Sequence, residues 1–450
     1  MRHDATPKKP ARFVRTAFGF LLLAYVGCPW PCQAQEAVPT FTLESSIEHA
    51  LTHSTQMLSA KEGVSAAEAN KKKQFTEFLP KLSASYAYTR LDEEKTPFLG
   101  VVTSPQDLYQ FTASLDQPVF SGFSKKTQYD ISALGLDIAR LSEHEIRQDL
   151  VLEVKKAYFE LLQKKKLEKV ARQAVIQLTA QREVSRNFYE VGMAPKNDFL
   201  QSEVELANAK QGLVVAKNDV ELARSRFNTL LRRPVDAPLT VEDVLTYEPF
   251  SLSYEGCVET ALQQRTEMQI ADLEVETAGR EVKLIQANYY PSIDLRANYY
   301  KRGDDPSLDG GEGIFFDEEW DVVATASWTF WEWGKTRYGA EEKLRRLSQA
   351  RLKRIEVEDN IRQEVKGAYL VVKAAENAIL TVQKAVEQAE ENFRMNEERY
   401  KEQVATSTDV LDAQTLLTQT QTNYFNALSV FNISKAALHR AMGLEIVTEP

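Results

Sequence analysis

The chain carries an internal repeat: one half aligns with the other at a constant offset of 211 positions, from about residue 43 to 232. No further gap is needed over this length, which chance does not explain. A single offset therefore predicts two like halves with the same order of secondary-structure elements. The matches include Ala50-Leu51 with Ala261-Leu262, Pro80 with Pro291, Glu153-Val154-Lys155 with Glu364-Val365-Lys366, and Tyr189 with Tyr400.

Each half begins with an amphipathic helical stretch, residues 43–78 and 254–288, that ends just before Pro80 or Pro291. The apolar period then changes from helical to two, which predicts strands with one apolar and one polar face. A loop separates two such strands in each half, and the last strand is predicted to reach Phe330. Each strand has about ten residues, a length that crosses an outer membrane when tilted.

Long segments without proline follow, at residues 122–190 and 334–401, and each predicts a helix of about 100 Å. Short turns lead into return helices, predicted over 196–232 and 407–442. The return helix and the opening helix of a half together match the long helix in length. We therefore expect them to stack end to end beside it, with the proline-rich linker 233–253 at the middle.

The return helices keep a seven-residue apolar repeat, with small residues at the second seam position. A period of 3.5 residues indicates coiled-coil packing between neighbouring helices. In the second half the apolar positions are Val410, Leu417, Tyr424, Phe431 and Leu438.

The first 34 residues have the basic, apolar and small-residue regions of an export signal. Cleavage after Ala34 is the leading interpretation, and a rival cut before Cys28 would leave a lipidated cysteine. The predicted organisation is a signal peptide over 1–34, a first repeat over 35–232, the linker over 233–253 and a second repeat over 254–445. Cys257 is expected to be a small buried residue on a helix.

The four tryptophans after the signal flank the last predicted strand: Trp320, Trp328, Trp331 and Trp333. Such a placement is typical of the aromatic belt at a membrane–water boundary, although aromatic packing in a soluble sheet is the alternative.

The net charge of −10 argues against a nucleic-acid partner. No later stretch is apolar over about 18 residues, so no membrane-spanning helix is expected. No phosphate-binding loop, nucleophile elbow or hydrolytic metal centre is present in the sequence, so we expect neither an enzyme nor a cofactor. His49 and His53 have a metal-binding spacing without an evident third ligand, and a surface pair is the preferred interpretation.

Four membrane strands cannot close a barrel, because membrane barrels begin at about eight strands and open edges are not tolerated in lipid. The chain is therefore expected to form oligomers. Two chains with four strands each would supply eight strands, and three would supply twelve and begin to leave a lumen. The helical hairpins below such a ring would form a hollow tube.

The doubled order of helix, proline, strand hairpin, long helix, turn and heptad helix resembles the TolC-type outer membrane efflux proteins. The segment after Tyr400, which contains Asp409-Val410-Leu411-Asp412-Ala413-Gln414, is similar to the second turn of that family. The resemblance spans residues of about 40 to 445. It implies an outer-membrane exit duct that extends into the periplasm, a passive conduit in a tripartite efflux or type I secretion system.

The resemblance further implies a homotrimer in outer-membrane lipid, with a twelve-stranded β-barrel on a twelve-helix α-barrel. It also implies docking to an inner-membrane pump of the RND or ABC class through a periplasmic adaptor protein.

Family members place acidic residues at the periplasmic entrance, where they match Asp409 and Asp412 here. Helix capping is an equal interpretation of Asp409, because Asp198 occupies the matching position of the first half. Asp412 matches Gln201 at the repeat offset, so the acidic residue occurs in one half only. This difference makes Asp412 the stronger candidate for the gate. In some members of the family an arginine holds the entrance closed, and the matching position in this chain is Ala405.

The hairpin turns are expected at Tyr189, Gly192 and Pro195 in the first half, and at Tyr400 and Gln403 in the second. A structural or adhesive coiled-coil protein of the cell envelope is the alternative function. It would account for the heptads and the export signal, but not for two strand hairpins at matching positions.

Overall fold

The computed structural model describes residues 40–96 and 102–445. All elements below belong to the compact unit that begins at Thr40. The predicted signal peptide and Cys28 lie outside the described residues.

The described part of the chain follows the predicted doubled order, with one short strand before each half. The first half contains β1 (Thr40–Phe41), α1 (Leu43–His53), α2 (Thr55–Thr76), β2 (Lys81–Arg90), β3 (Asp107–Ser121), α3 (Ser124–Glu190) and α4 (Lys196–Leu230). The linker contains β4 (Thr240–Val241). The second half contains α5 (Tyr254–Gln264), α6 (Thr266–Gln286), a 3-10 turn (Ala287–Tyr289), β5 (Ser292–Gly303), β6 (Glu318–Ser327), α7 (Lys335–Lys401) and α8 (Ser407–Ala441).

The opening helix of each half is broken once, so the prediction of unbroken helices over 43–78 and 254–288 was wrong. Ser54 and Arg265, which match at the repeat offset, both have extended backbones with φ of −60° and −62°. Each residue donates its N–H to the helix before it and serves as the N-cap of the helix after it. Neither break involves glycine or proline, so the sequence carried no signal for it.

The four long strands form one antiparallel sheet in the order β2-β3-β5-β6. The register places Leu82, Leu115, Ala297 and Val322 in one row across the sheet. The adjacent row is polar and contains Ser83, Ser114, Asn298 and Asp321. Since neighbouring residues of a strand point to opposite faces, the sheet has the predicted apolar and polar faces.

Strand β6 ends at Ser327, and the prediction that it continues to Phe330 was wrong. Ser327 pairs with Ser292, the first residue of β5. The next partner, for Trp328, would be Pro291, which has no N–H to donate to a sheet ladder. Pairing therefore stops at this point.

The long helices α3 and α7 each have 67 residues, and the return helices α4 and α8 each have 35. Helix α3 contacts α4 and also α1 and α2, whereas α7 contacts α8 and also α5 and α6. This confirms the expected stacking of two shorter segments beside one long helix. Helix α3 also contacts α6 and α8, which joins the two halves.

The main hydrophobic core lies where the broken helices, the linker and the long helices meet. Its largest buried side chains include Tyr158, Phe227 and Phe431. The hydroxyl of Tyr158 donates to the carbonyls of Phe41 (3.1 Å) and Glu242 (2.9 Å), beside the parallel pair β1–β4. Burial and the nearby Glu242 raise the pKa of Tyr158 to about 12.

Cys257 lies in this core with no exposed surface, as predicted. None of the helices in the described ranges combines the length and hydropathy of a bilayer-spanning helix.

Candidate functional site at the tips of the helical hairpins

The two hairpin turns have the same backbone although only one contains glycine. Gly192 has φ of +78°, and the N–H groups of the two residues after it donate to the carbonyl of Phe188 at 2.8 and 3.2 Å. Gln403 has φ of +60° in the second turn, and Val404 donates to the carbonyl of Arg399 at 2.9 Å. The replacement of glycine by glutamine therefore preserves the turn, at a conformational cost of about 1 kcal/mol.

The return helices begin with different caps. Pro195 is the N-cap of α4 and provides no side-chain hydrogen bond. Thr406 is the N-cap of α8, and its side chain accepts from the N–H of Asp409 at 3.2 Å. The Asp409 carboxylate in turn accepts from the N–H and the hydroxyl of Thr406, both at 2.8 Å. These two bonds complete a capping box.

Hydrogen bonds from the Thr406 backbone and hydroxyl lower the pKa of Asp409. The carboxylate of Asp409 therefore already has a local structural role. Asp412 lies one turn further along α8, is exposed, and forms no salt bridge within the described part of the chain. The matching residue of the first half, Gln201, accepts a hydrogen bond from Thr408 at 3.3 Å.

A buried cluster of hydroxyl groups joins all four long hairpin helices just above the tips. This tip cluster consists of Ser185 on α3, Ser202 on α4, Tyr400 on α7 and Ser407 on α8, and the four residues are at most 4 % exposed. The hydroxyl of Ser185 lies 3.1 Å from that of Tyr400 and accepts from Ser202 at 3.1 Å. Ser407 lies 3.4 Å from Ser185 and 3.3 Å from Ser202.

The sequence did not predict this cluster. The heptads placed Ser202 at a small seam position, but a seam pattern does not tell which hydroxyl groups converge. The repeat also suggested equivalent roles for Tyr189 and Tyr400, and the structure separates them. Tyr400 is 4 % exposed, whereas Tyr189 is 38 % exposed and stacks on Phe199 with ring centroids 6.2 Å apart.

The turns of the two hairpins contact each other and expose apolar side chains. The Gln403 amide donates to the sulfur of Met193 at 3.6 Å. Val191, Met193 and Val404 are each more than half exposed. The end of the molecule that carries the acidic residues is therefore also an apolar surface.

The tryptophans lie near the opposite end of the second half. Trp320 is the third residue of β6, and the other three follow the end of that strand. All four are exposed, from 60 % for Trp328 to 85 % for Trp333. Trp328 donates to the carbonyl of Tyr289 at 3.2 Å. Their role in a membrane belt stays a prediction.

The histidine pair has no metal geometry. The rings of His49 and His53 stack with centroids 4.3 Å apart. Burial, then the neighbouring His53 and Arg233, lowers the pKa of His49. In the ranges that the structure describes, no group of three or more histidine, cysteine, aspartate or glutamate side chains could hold a metal ion.

Comparison with known proteins identifies the family that has this order of elements. The family model described as outer membrane efflux protein matches residues 46–231 and 257–444. The outer membrane efflux protein BepC of Brucella suis is 22 % identical over 408 residues, which cover 91 % of this chain and 86 % of BepC.

Solved structures agree on the fold. The outer membrane protein VceC of Vibrio cholerae has a TM-score of 0.74 at 18 % identity, with 89 % of this chain and 96 % of VceC covered. The open state of the MtrE outer membrane channel of Neisseria gonorrhoeae has a TM-score of 0.72 at 19 % identity, with 89 % of each chain covered. Two family matches, one in each half, together with this fold, show that the chain belongs to the outer membrane efflux protein family, whose members are passive channels of the outer membrane that extend into the periplasm.

Proposed function

We propose that three copies of the chain assemble into one exit duct, and the four-stranded sheet is the observation that carries this proposal. Its outer strands β2 and β6 each have a partner on one side only. Nearly all residues of both strands are exposed. Unpaired strand edges are not tolerated in lipid, so β6 of one copy is expected to pair with β2 of the next. Three four-stranded sheets would then close a barrel of twelve strands.

The two faces of the sheet support a barrel with lipid outside and water inside. A concave surface on the polar face is lined by Lys81, Asp116, Arg296 and Asp321, and Asp116 accepts a hydrogen bond from Arg296. The opposite face carries apolar side chains such as Leu82, which is 81 % exposed in the single chain. Exposure of such a side chain to water is unfavourable, and contact with lipid removes that cost.

The helical hairpins would continue the duct below the barrel. Each chain contributes the four long helices α3, α4, α7 and α8, so three chains would supply twelve helices. Exposed apolar residues lie along these helices, among them Ile176, Leu222 and Leu370. We infer that contacts between copies cover part of this surface, as coiled-coil seams do.

The proposed role is passive. Proteins of this family act with a periplasmic adaptor and an inner-membrane pump, and we propose that this chain receives its cargo from such a pump of the RND or ABC class. The exposed apolar tips, with Val191 and Val404, are the surface on which we expect the adaptor to dock.

We assign the entrance filter to Asp412, with Asp409 as a secondary contributor. Three copies would place three Asp412 carboxylates around one axis, where they favour cations over anions. The exposed and unpaired state of Asp412 supports this assignment, whereas the capping bonds of Asp409 support a structural role.

Native mass spectrometry of the detergent-extracted protein tests the assembly. The proposal expects a mass of three chains. A stable single copy, or a dimer, would overturn the twelve-stranded barrel while leaving the family and fold intact.

A further inference from the structure

An open cavity of about 520 Å³ lies between the beginning of α2 and the end of α4. We call it the α2–α4 cavity. Its polar lining consists of Ser54, Thr55, Gln56, Ser225, Arg226, Thr229 and Arg232. Its lining residues lie on other segments of the chain than the proposed entrance residues at the hairpin tips. The proposed duct function does not use this cavity.

One wall of the cavity is the N-terminus of the 22-residue helix α2. The first N–H groups of a helix have no intrahelical acceptor and carry partial positive charge. Ser54 is the N-cap, but its side chain makes no capping bond and has no hydrogen-bond partner in the structure. Ser54 is only 6 % exposed, and the residue lines the cavity. No protein group occupies its hydroxyl among the described residues, so the hydroxyl is available to donate to a ligand there.

The opposite wall carries two guanidinium groups. Arg232 forms no ion pair among the described residues, and Arg226 has only an exposed contact to Glu160 at 3.3 Å. An exposed pair of this kind holds a side chain weakly. Carbonyls at the end of α4 would repel an anion, but those of Phe227, Asn228 and Thr229 already accept from the N–H groups of residues 231–233. The cavity is therefore electropositive on both sides.

Comparison of the two halves shows that the backbone of Arg232 is conformationally strained. Arg232 has φ of +57°, in the left-handed region, which disfavours residues other than glycine. At the repeat offset the second half has Gly443, with φ of +74°. The same backbone is thus formed without strain in one half and with an arginine in the other.

The second half also shows what fills the equivalent space. Arg265 replaces Ser54 at the offset, Glu267 replaces Gln56, and Arg440 replaces Thr229. Arg265 and Glu267 lie 2.7 Å apart, and Arg440 and Glu267 lie 3.0 Å apart. The chain therefore supplies its own carboxylate between two arginines in the second half. In the first half all three positions of this triad hold uncharged residues, and the arginines near the cavity are instead Arg226 and Arg232.

We propose that the α2–α4 cavity binds a small oxyanion of the phosphate class. Its oxygens would accept from the Ser54 hydroxyl, from N–H groups at the start of α2 and from the guanidinium of Arg232. This combination of a helix N-terminus and arginine is a common way in which proteins bind phosphate. Because the ligand would contact both α2 and α4, it would stabilise the folded state in proportion to its occupancy.

Isothermal titration calorimetry of inorganic phosphate into the full-length protein in detergent, at constant ionic strength, tests the proposal. We expect one phosphate per chain. Arg232→Gly should weaken binding by about tenfold or more, since it removes a charged hydrogen-bond donor. The Arg232→Gly variant should be at least as stable to unfolding as the parent protein, because glycine adopts the left-handed backbone without strain.

Ser54→Ala should also weaken binding, because it removes the hydroxyl donor from the site. Arg351→Ala is the matched control, because Arg351 is an exposed arginine without an ion pair in the described structure. That control should bind phosphate like the parent protein. Absence of binding to the parent, or equal affinity in the parent and in Arg232→Gly, would overturn the proposal.

Discussion

At the scale of single residues, the two carboxylates at the start of α8 lie one turn apart and have different surroundings. Asp409 is held by the backbone and hydroxyl of Thr406, whereas Asp412 is exposed and unpaired among the described residues. A carboxylate that faces water in a narrow passage acts on passing ions, and one that is bonded to its own helix mainly fixes that helix.

Asp412→Ala should lower the preference of the open channel for cations, because one negative charge is lost from each copy at the entrance. Reversal potentials across a salt gradient measure this preference. Asp198→Ala is the matched control, since Asp198 is a partly exposed aspartate in the first turn of the return helix in the first half. If Asp412→Ala leaves the selectivity unchanged, Asp412 does not line the entrance.

Asp409→Ala should lower the midpoint of thermal unfolding, because it removes the capping box of α8. The lowered pKa of Asp409 gives the sign of the pH dependence. The stabilisation is present above the unfolded pKa and is lost as pH falls through the folded pKa. Thermal unfolding followed by circular dichroism between pH 7 and acid measures it. The capping role would be refuted if the variant and the parent protein had the same unfolding midpoint both at pH 7 and at acid pH.

At the scale of elements, the tip cluster is a buried polar contact that joins the two hairpins near their turns. Tyr400→Phe removes the hydroxyl bonded to Ser185 and should destabilise the protein by about 1–2 kcal/mol, because a buried partner is left unsatisfied. A looser contact between hairpins should also raise the conductance of the channel. Chemical denaturation and single-channel recording give the two readouts.

Tyr189→Phe is the control for the tip cluster, since Tyr189 is 38 % exposed and its hydroxyl makes no hydrogen bond to any residue that the structure describes. It should leave both stability and conductance near the parent values. Equal effects of the two substitutions would mean that the cluster does not restrain the hairpins.

The charged network of the second half fastens α6 to α3 and α8. Arg440 lies 2.6 Å from Asp149 and 3.0 Å from Glu267. Although burial opposes it, the hydrogen bond from Arg265 keeps the pKa of Glu267 lowered. Glu267→Gln should therefore destabilise the protein by about 2 kcal/mol in denaturant unfolding, because two buried arginines lose one carboxylate each, while Arg265 keeps Glu364 and Arg440 keeps Asp149. A loss well under 1 kcal/mol would show that the network is solvated.

Element order was readable from the sequence because periodicity and proline placement are local. The long helices and the strand hairpins match their predicted positions closely. The breaks at Ser54 and Arg265 were missed because tertiary packing, and not a breaker residue, fixes one extended backbone there. The early end of β6 was missed because it depends on the partner of Trp328, which only the register reveals.

The site was less predictable than the fold. The turn residues followed from the repeat and the acidic residues from the family resemblance, but the tip cluster and the α2–α4 cavity depend on which side chains converge in space. The run from Lys164 to Lys166 illustrates this limit. A run of lysines on a helix is typical of a solvated face, yet Lys164 pairs with Asp219 at 2.9 Å and Lys166 pairs with Asp243. Burial, with a contribution from Arg224, lowers the pKa of Lys165 between them.

At the scale of the whole molecule, the single chain has features that only an assembly satisfies. One sheet has two unpaired edges and an exposed apolar face, and the long helices expose apolar side chains far from any strand. The two halves are alike in element order and differ at the tips and at the α2–α4 cavity. A tube built from such repeats would have the same elements around its wall, and the two halves would differ at the proposed entrance filter and at the proposed anion site.

Single-channel recording of the full-length protein, extracted in detergent and reconstituted in a planar bilayer, tests the central claim most directly. We predict discrete conductance steps with a preference for cations, because a closed barrel would surround a water-filled lumen that leads to an acidic entrance. A protein that inserts into the bilayer as assembled copies but gives no conductance under any applied voltage would contradict the duct.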